Sequence, residues 1–163
     1  MTRKHTFAPD EFYHVYNRGV EKRAIFSGIG DRERFLKLLY LSNSEKSYVV
    51  RDIDKTKVFS FDRGRELVAI CAYSLMDNHF HLLLRELVEG GISKFMLKLT
   101  TAYSMYFNTK YQRSGALFQG AFRSKHLDHD EYLRHVATYI HMNVIDMLQP
   151  LWKEHGISNK KAT

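Results

Sequence analysis

The chain has 163 residues, of which 44% are hydrophobic and 13% are aromatic, so it can bury the core of one globular domain. Its 25 Lys and Arg residues outnumber its 18 Asp and Glu residues, which gives a formal charge of +7 and a pI near 9.5. This excess favours a polyanionic partner such as nucleic acid. Because no apolar run approaches the roughly 20 residues that span a bilayer, we expect a cytoplasmic protein without membrane partners.

The beginning of the chain predicts one strand and one helix. Residues 12–17 are aromatic and β-branched with an alternating character, which is typical of a strand. Residues 18–23 follow as a turn that carries three cations. Asp31 is placed as the N-cap of a helix over residues 32–41, whose leucines and phenylalanine form an apolar face.

The middle of the chain predicts a hairpin. Residues 43–65 are polar and charged, and they favour at most one short strand at residues 48–50. The apolar run 67–75 has the length of a strand, and residues 76–78 turn the chain into a second strand. Cys71, the single cysteine, excludes an internal disulfide and a multi-cysteine zinc site, and its apolar neighbours predict a buried thiol.

The rest of the chain predicts two helices and one strand. Apolar residues recur at helical spacing over residues 92–111, and a last strand ends at residues 122–125. Asp128 and Glu131 form a capping box for a helix that runs to about Leu148. The buried stripe of this helix is predicted to be Leu133, Ala137, Ile140, Val144 and Met147.

This order of elements predicts the fold. Strand–helix–strand–strand–helix–strand is the order of a ferredoxin-like β-α-β-β-α-β unit, here with an added terminal helix. We therefore predict an α+β protein with an antiparallel sheet. Residues 1–163 form one domain in this interpretation, with a core over about 12–148 and a peripheral tail at 150–163.

Two histidines share one face of the predicted second hairpin strand. Because alternate side chains of a strand point to opposite faces, His79 and His81 lie together, with Cα atoms roughly 7 Å apart. Phe80, Leu82 and Leu84 then face the core. Two neutral imidazoles on a rigid strand form half of a metal site. The same pattern also fits two partly exposed strand residues, so the other ligands have to come from elsewhere in the chain.

The last predicted helix carries a tyrosine and an amide one turn apart. Tyr139 and Asn143 share a helical face, and an amide oxygen is a ligand for a hard ion such as Mg²⁺ or Mn²⁺. A tyrosine beside such an ion has the arrangement of a phosphodiester-cleaving nucleophile. Tyr132 falls on nearly the same face, but the residue four positions beyond it is Val136, which cannot bind a metal.

Three motifs occur in order along the chain: HFHLLL at 79–84, GALFQGAFRSKHLDHDEYL at 115–133 and YIHMN at 139–143. Together they resemble the REP-associated tyrosine transposases, which are single-tyrosine HUH transposases of bacterial insertion sequences. The resemblance runs from about Phe12 to Val144. It implies that the histidine pair and Asn143 bind the metal and that Tyr139 is the nucleophile.

The resemblance also implies a function. It implies a metal-dependent DNA strand transferase, with Mg²⁺ or Mn²⁺, that cleaves and rejoins single-stranded DNA through a 5′-phosphotyrosine. The implied substrate is a palindrome folded as a hairpin, and we expect a nucleoid-associated monomer or homodimer. Tyr16 is a candidate for stacking on an unpaired base. The candidate phosphate contacts are Arg18, Lys22, Arg23, Arg113, Arg123 and Lys125.

Two positions depart from the family pattern, and two other functions remain open. Asp77 stands where the family has proline, and Val144 follows Asn143 where the family again has proline, which changes where the helix ends. In one alternative, the histidine pair and His141 bind zinc for hydrolysis. In the other, the chain binds DNA without turnover.

Overall fold

The structure is a computed structural model that describes residues 6–54 and 56–148, with side chains described as far as Asn143. Its strands and helices are β1 (Phe12–Arg18), α1 (Ile29–Ser42), β2 (Val68–Met76), β3 (His79–Glu86), α2 (Gly91–Lys110), β4 (Arg123–His126) and α3 (Asp130–Leu148). The predicted α+β, ferredoxin-like order with an added C-terminal helix is therefore confirmed. No helix in the described part is long and apolar enough to cross a bilayer.

The strands form one antiparallel sheet in the order β2-β3-β1-β4. The two central strands, β3 and β1, pair so that His81 lies opposite Tyr16 and His79 lies opposite Arg18. On its other side β1 pairs with β4, which places Arg123 opposite Tyr16. The hairpin prediction is correct, and it puts the histidine strand in the interior of the sheet.

Helices α1 and α2 cover one face of the sheet and form the main core with it. The predicted inward residues of β3 are fully buried, and rings from both helices pack on them. Phe35 of α1, for example, lies 5.1 Å from Phe80 and 5.0 Å from Tyr103 of α2 between ring centroids. Burying a side chain of this size stabilises the fold by about 1.5–3 kcal/mol.

Helix α3 covers the opposite face. Its Ile140 and Val136 are buried in a smaller cluster with residues of β2, β3 and the start of α3. Of the predicted stripe, Leu133 and Ala137 are partly buried there, whereas the side chains of Val144 and Met147 lie outside those described. The helix begins at Asp130, two residues after the predicted cap, and continues past Asn143 without a break.

Two local predictions are wrong, those for Asp31 and Cys71, and the described part of the polar segment 43–65 lacks the one short strand that was allowed at most. Helix α1 begins at Ile29 after Gly28, so Asp31 is not its N-cap but a buried residue of its first turn. Residues 48–50 form no strand; short 3-10 turns at Val50–Asp52 and Val58–Ser60 occupy this segment. Cys71 is exposed because the β2–β3 register shifts between Ile70 and Ala72, which leaves it at a β-bulge.

Candidate functional site

The sheet face under α3 collects the predicted histidines and several residues of the neighbouring strands. His79 and His81 lie on this face at the start of β3, and Tyr16 pairs directly with His81. His14 follows on the same face of β1, because it is two residues from Tyr16. Ser74 of β2 lies opposite His81 on the other side. The interior position of β3 thus surrounds His81 with polar groups from both neighbouring strands.

The three imidazoles form one cluster. His14 Nε2 lies 2.9 Å from His81 Nδ1, and the centroids of the two rings are 5.0 Å apart. The His79 ring stands edge-on to His81 at 5.0 Å. His79 Nδ1 lies 2.6 Å from Asn78 Oδ1, which can only accept a hydrogen bond, so Nδ1 donates and Nε2 keeps its lone pair. His79 Nε2 is therefore a candidate donor atom for a metal.

Burial keeps these histidines neutral. Desolvation, together with the neighbouring His14 and His79, lowers the pKa of His81 to about 3. Desolvation and the nearby Lys125 ammonium lower the pKa of His14 to about 4, and desolvation also lowers the pKa of His79. Neutral imidazole is the form that binds metals, so the lowered pKa values are compatible with a metal site at neutral pH.

The structure separates the two tyrosines of α3. The Tyr139 ring lies 5.4 Å from the His81 ring and 6.4 Å from the His14 ring, and 45% of the residue is exposed. Tyr132 is partly buried instead, with the Lys125 ammonium 4.2 Å from its ring centroid. Of these two, Tyr139 is the tyrosine that lies against the histidines.

Three buried polar atoms of this region have no hydrogen-bond partner: Ser74 Oγ, His81 Nε2 and Asn143 Nδ2. They are the only such side-chain atoms among the described residues. Leaving a buried polar group unpaired costs about 1–3 kcal/mol. A rotation of the planar Asn143 amide by 180° exchanges its nitrogen and its oxygen, so the oxygen can occupy the position of Nδ2. The donor set of two imidazole nitrogens and one amide oxygen fits a divalent ion.

The zinc alternative is not supported by the geometry. His141 is exposed, and its Nδ1 donates to the Ala137 carbonyl of its own helix at 2.7 Å. In the described part of the chain, no three His, Cys, Asp or Glu side chains are grouped as a metal site. The described side chains therefore do not form the histidine triad that the zinc alternative requires.

A cavity of about 380 Å³ opens beside the histidines. Three of the predicted phosphate contacts, Arg18, Lys22 and Arg123, line it together with Tyr139. The rest of the lining is polar or aromatic and consists of Tyr16, Asn17, Asn78, His79, His81 and Gln119. A cation-rimmed opening next to a tyrosine and two imidazoles suits a phosphodiester.

The segment before β4 is held against the end of β1, which shapes the rim. Gln119 N donates to the Arg18 carbonyl at 2.9 Å, and the Arg18 guanidinium contacts the Gln119 side chain. Asn17 Nδ2 donates to the Gly120 carbonyl at 3.2 Å. Gly19 is required by close approach, since a Cβ there would lie 2.2 Å from the Arg23 carbonyl oxygen.

The other predicted cations lie elsewhere. Lys125 is exposed beside Tyr132, and Arg23 is exposed but does not line the cavity. Arg113 follows α2, donates to Asn108 Oδ1 at 3.1 Å and lies over the Phe107 ring. Because α2 covers the opposite face of the sheet, Arg113 is not brought to the cavity.

Sequence reasoning missed four residues of this region: His14, Asn17, Ser74 and Gln119. The alternation of β1 places His14 and Tyr16 on one face, and this signal was present in the sequence. The pairing register that sets them beside His81 was not.

Comparison with known proteins gives a consistent picture. Residues 54–143, more than half of the chain, match the family described as IS200-like transposases. The structure is similar to that of a REP-associated tyrosine transposase bound to a REP hairpin, with a TM-score of 0.54 and 13% identity over 90% of this chain and 73% of that one. A candidate transposase from Deinococcus radiodurans R1 gives a TM-score of 0.47 and 14% identity over 88% and 98%. No curated protein sequence matches.

Proposed function

Since the chain belongs to the IS200-like transposase family, we propose that it cleaves and rejoins single-stranded DNA through a covalent bond to Tyr139. The observation that carries this proposal is the position of Tyr139. Its ring lies 5.4 Å from that of His81, it is 45% exposed, and it lines a cavity rimmed by cations. A nucleophile has to be both accessible to DNA and close to the groups that activate the phosphate.

The metal ligands in this proposal are His79, His81 and Asn143. Desolvation lowers the pKa of both imidazoles, which favours their neutral form, and His81 Nε2 and Asn143 Nδ2 are buried without hydrogen-bond partners. A bound Mg²⁺ or Mn²⁺ would supply Lewis-acid polarisation of a phosphate oxygen. Arg18, Lys22 and Arg123 would hold neighbouring phosphates at the rim of the cavity.

The proposed reaction is a balanced transesterification. The Tyr139 Oη attacks the scissile phosphorus and forms a P–O bond, while the bond from phosphorus to the 3′-oxygen breaks. The phenolic proton leaves to water, and the departing 3′-oxygen gains a proton. The product is a 5′-phosphotyrosine and a free 3′-hydroxyl, which can attack a phosphotyrosine in reverse. Because one ester replaces another, rejoining needs no external energy source.

The proposed substrate is a hairpin with single-stranded DNA beside it. The +7 charge favours a polyanion, and a structural relative was solved with a REP hairpin bound. The cavity of about 380 Å³ lies at the lower end of the size range of small-ligand pockets. It therefore suits one unpaired nucleotide at the scissile phosphate better than a base pair.

The proposal is tested with one labelled palindrome, taken from the flanks of the gene, in two forms. The folded hairpin with a single-stranded flank should give a covalent protein–DNA adduct on a denaturing gel in Mn²⁺, and none in excess chelator. The same sequence as full duplex should give none. A preference for duplex, or full activity in chelator, would contradict the proposal. Salt-sensitive hairpin binding without an adduct in any metal would identify a binding module instead.

A further inference from the structure

His14 contacts one candidate metal ligand, His81, without lining the cavity. Its Nε2 lies 2.9 Å from His81 Nδ1, and the planes of the two rings differ by 28°. The strand pairing fixes this contact, because Tyr16, two residues away, lies directly opposite His81. His14 is thus placed to act on His81 rather than on DNA.

The contact between the two ring nitrogens restricts where the protons lie. A neutral imidazole has one N–H, so one ring must donate and the other must accept. If His14 donated, the proton of His81 would lie on Nε2, which is buried and has no acceptor. A buried N–H at this position would stay unpaired even with a metal bound, whereas a lone pair there is satisfied by a metal ion. If His81 donates from Nδ1, its Nε2 instead carries a free lone pair.

We propose that His14 is a positioning residue, whose Nε2 accepts the His81 Nδ1–H and so holds His81 in the tautomer that binds a metal through Nε2. This inference rests on the proposed function only in treating His81 as a metal ligand. Asn78 Oδ1 acts on His79 in the same way at 2.6 Å, since an amide oxygen can only accept. Each histidine of the pair then has its own acceptor at Nδ1 and presents Nε2.

Such a partner orients a ligand and increases its basicity. Removing the partner of a metal-binding histidine typically lowers metal affinity about 10–100-fold. The effect should depend on the acceptor rather than on the imidazole itself. His14→Gln keeps a side-chain oxygen that can reach the same position, whereas His14→Leu fills the space without an acceptor.

The test compares these two variants with wild type and with His126→Gln, a histidine change on β4 outside the cavity lining. Nitrogen-15 NMR of the metal-free protein should show the His81 proton on Nδ1. Calorimetry with Mn²⁺ should show an affinity about 10–100-fold lower for His14→Leu and recovered in His14→Gln. His126→Gln should bind like wild type. Thermal melts show that each variant is folded.

A His81 proton on Nε2 in the wild type would overturn the proposal, as would unchanged Mn²⁺ affinity in folded His14→Leu. If His14→Leu does not fold, the proposal is decided by the tautomer of His81 in the wild type and by the Mn²⁺ affinity of His14→Gln. Neither measurement requires the His14→Leu variant. The proposed function and the proposed role of His14 can also be refuted independently of each other. Mn²⁺ binding with the expected tautomer but without DNA cleavage would refute only the function. Cleavage with unchanged Mn²⁺ affinity in His14→Leu would refute only the role of His14.

Discussion

The two faces of the sheet treat buried polar groups in opposite ways. On the α1–α2 face, Asp31 has no exposed surface, yet its carboxylate accepts hydrogen bonds from Lys110, Tyr106, Tyr111 and the Ser27 amide. On the α3 face, Ser74 Oγ, His81 Nε2 and Asn143 Nδ2 are buried without a partner. One face therefore satisfies even a buried charge, whereas the other leaves neutral donors and acceptors unpaired.

This difference indicates what each face is for. Unpaired buried groups reduce the free energy of unfolding, so a fold retains them where they serve something other than stability. His81 lines the cationic cavity together with the exposed Tyr139, Ser74 lies opposite His81 in the sheet, and Asn143 follows Tyr139 by one helical turn. We therefore expect polar truncations to have opposite consequences on the two faces.

The largest expected effect is the loss of cleavage on the α3 face. Replacing His81 with Ala removes a proposed metal ligand, and the several kcal/mol of transition-state stabilisation that a metal supplies correspond to a loss of roughly a thousandfold or more. Hairpin binding should persist, because the proposed phosphate contacts lie at the rim. Cleavage rates and a gel-shift assay measure the two effects. If His81→Ala cleaved DNA as fast as wild type, the claim that the α3 face serves cleavage would be wrong.

On the opposite face, Asp31→Asn should reduce stability. It replaces a buried carboxylate that accepts from a lysine, two tyrosines and an amide, and breaking a buried pair costs about 3–5 kcal/mol. Because the Lys110 side chain is partly exposed, we expect a value of about 2–3 kcal/mol from urea unfolding. Asp77→Asn is the matched control, since that carboxylate is 77% exposed in its pair with Arg32. Its effect should stay below about 1 kcal/mol.

The stability that Asp31 contributes should depend on pH. Burial raises the pKa of this carboxyl, but hydrogen bonds from Lys110, Tyr111, Ser27 and Tyr106 outweigh burial and hold the pKa below its usual value. The folded pKa is then lower than the unfolded value of about 3.9. The contribution is present above that pH and is lost as pH falls through the folded pKa. The gap between wild type and Asp31→Asn in free energy of unfolding should therefore narrow at acidic pH; a constant gap would contradict this.

The smallest expected effect is a difference in sign between the stability changes that two serine-to-alanine substitutions cause. Ser74→Ala removes an unpaired buried hydroxyl, so stability should stay constant or rise by up to about 1 kcal/mol. Ser42→Ala removes an equally buried hydroxyl that bonds to the Tyr48 hydroxyl at 2.7 Å, and it should cost about 1 kcal/mol. Denaturant midpoints of the two variants measure the difference. Equal losses in both would show that the faces do not differ in this respect.

Local spacing in the sequence predicted what lies within one element. The period of two placed His79 and His81 together on a strand, and the spacing of four placed Tyr139 and Asn143 together on a helix. It could not predict the contact between His14 and His81, which are 67 residues apart and meet through the register of β1 and β3.

The wrong predictions have the same origin. Asp31 has the local pattern of an N-cap, but its carboxylate is drawn inward by Lys110, 79 residues away. Cys71 sits in an apolar run, but a one-residue bulge turns it outward. Helical spacing put Tyr132 and Tyr139 on nearly the same face. In the structure their neighbours differ: Tyr132 lies beside Lys125, whereas Tyr139 lies beside His81.

The most direct test of the site is therefore the pair of variants Tyr139→Phe and Tyr132→Phe. Each removes one hydroxyl and should leave hairpin binding intact. With hairpin DNA and Mn²⁺ on a denaturing gel, Tyr139→Phe should form no covalent adduct, whereas Tyr132→Phe should form it as wild type does. An adduct in Tyr139→Phe, or its loss in Tyr132→Phe alone, would contradict the assignment of the nucleophile to the cluster of His81 and Tyr139.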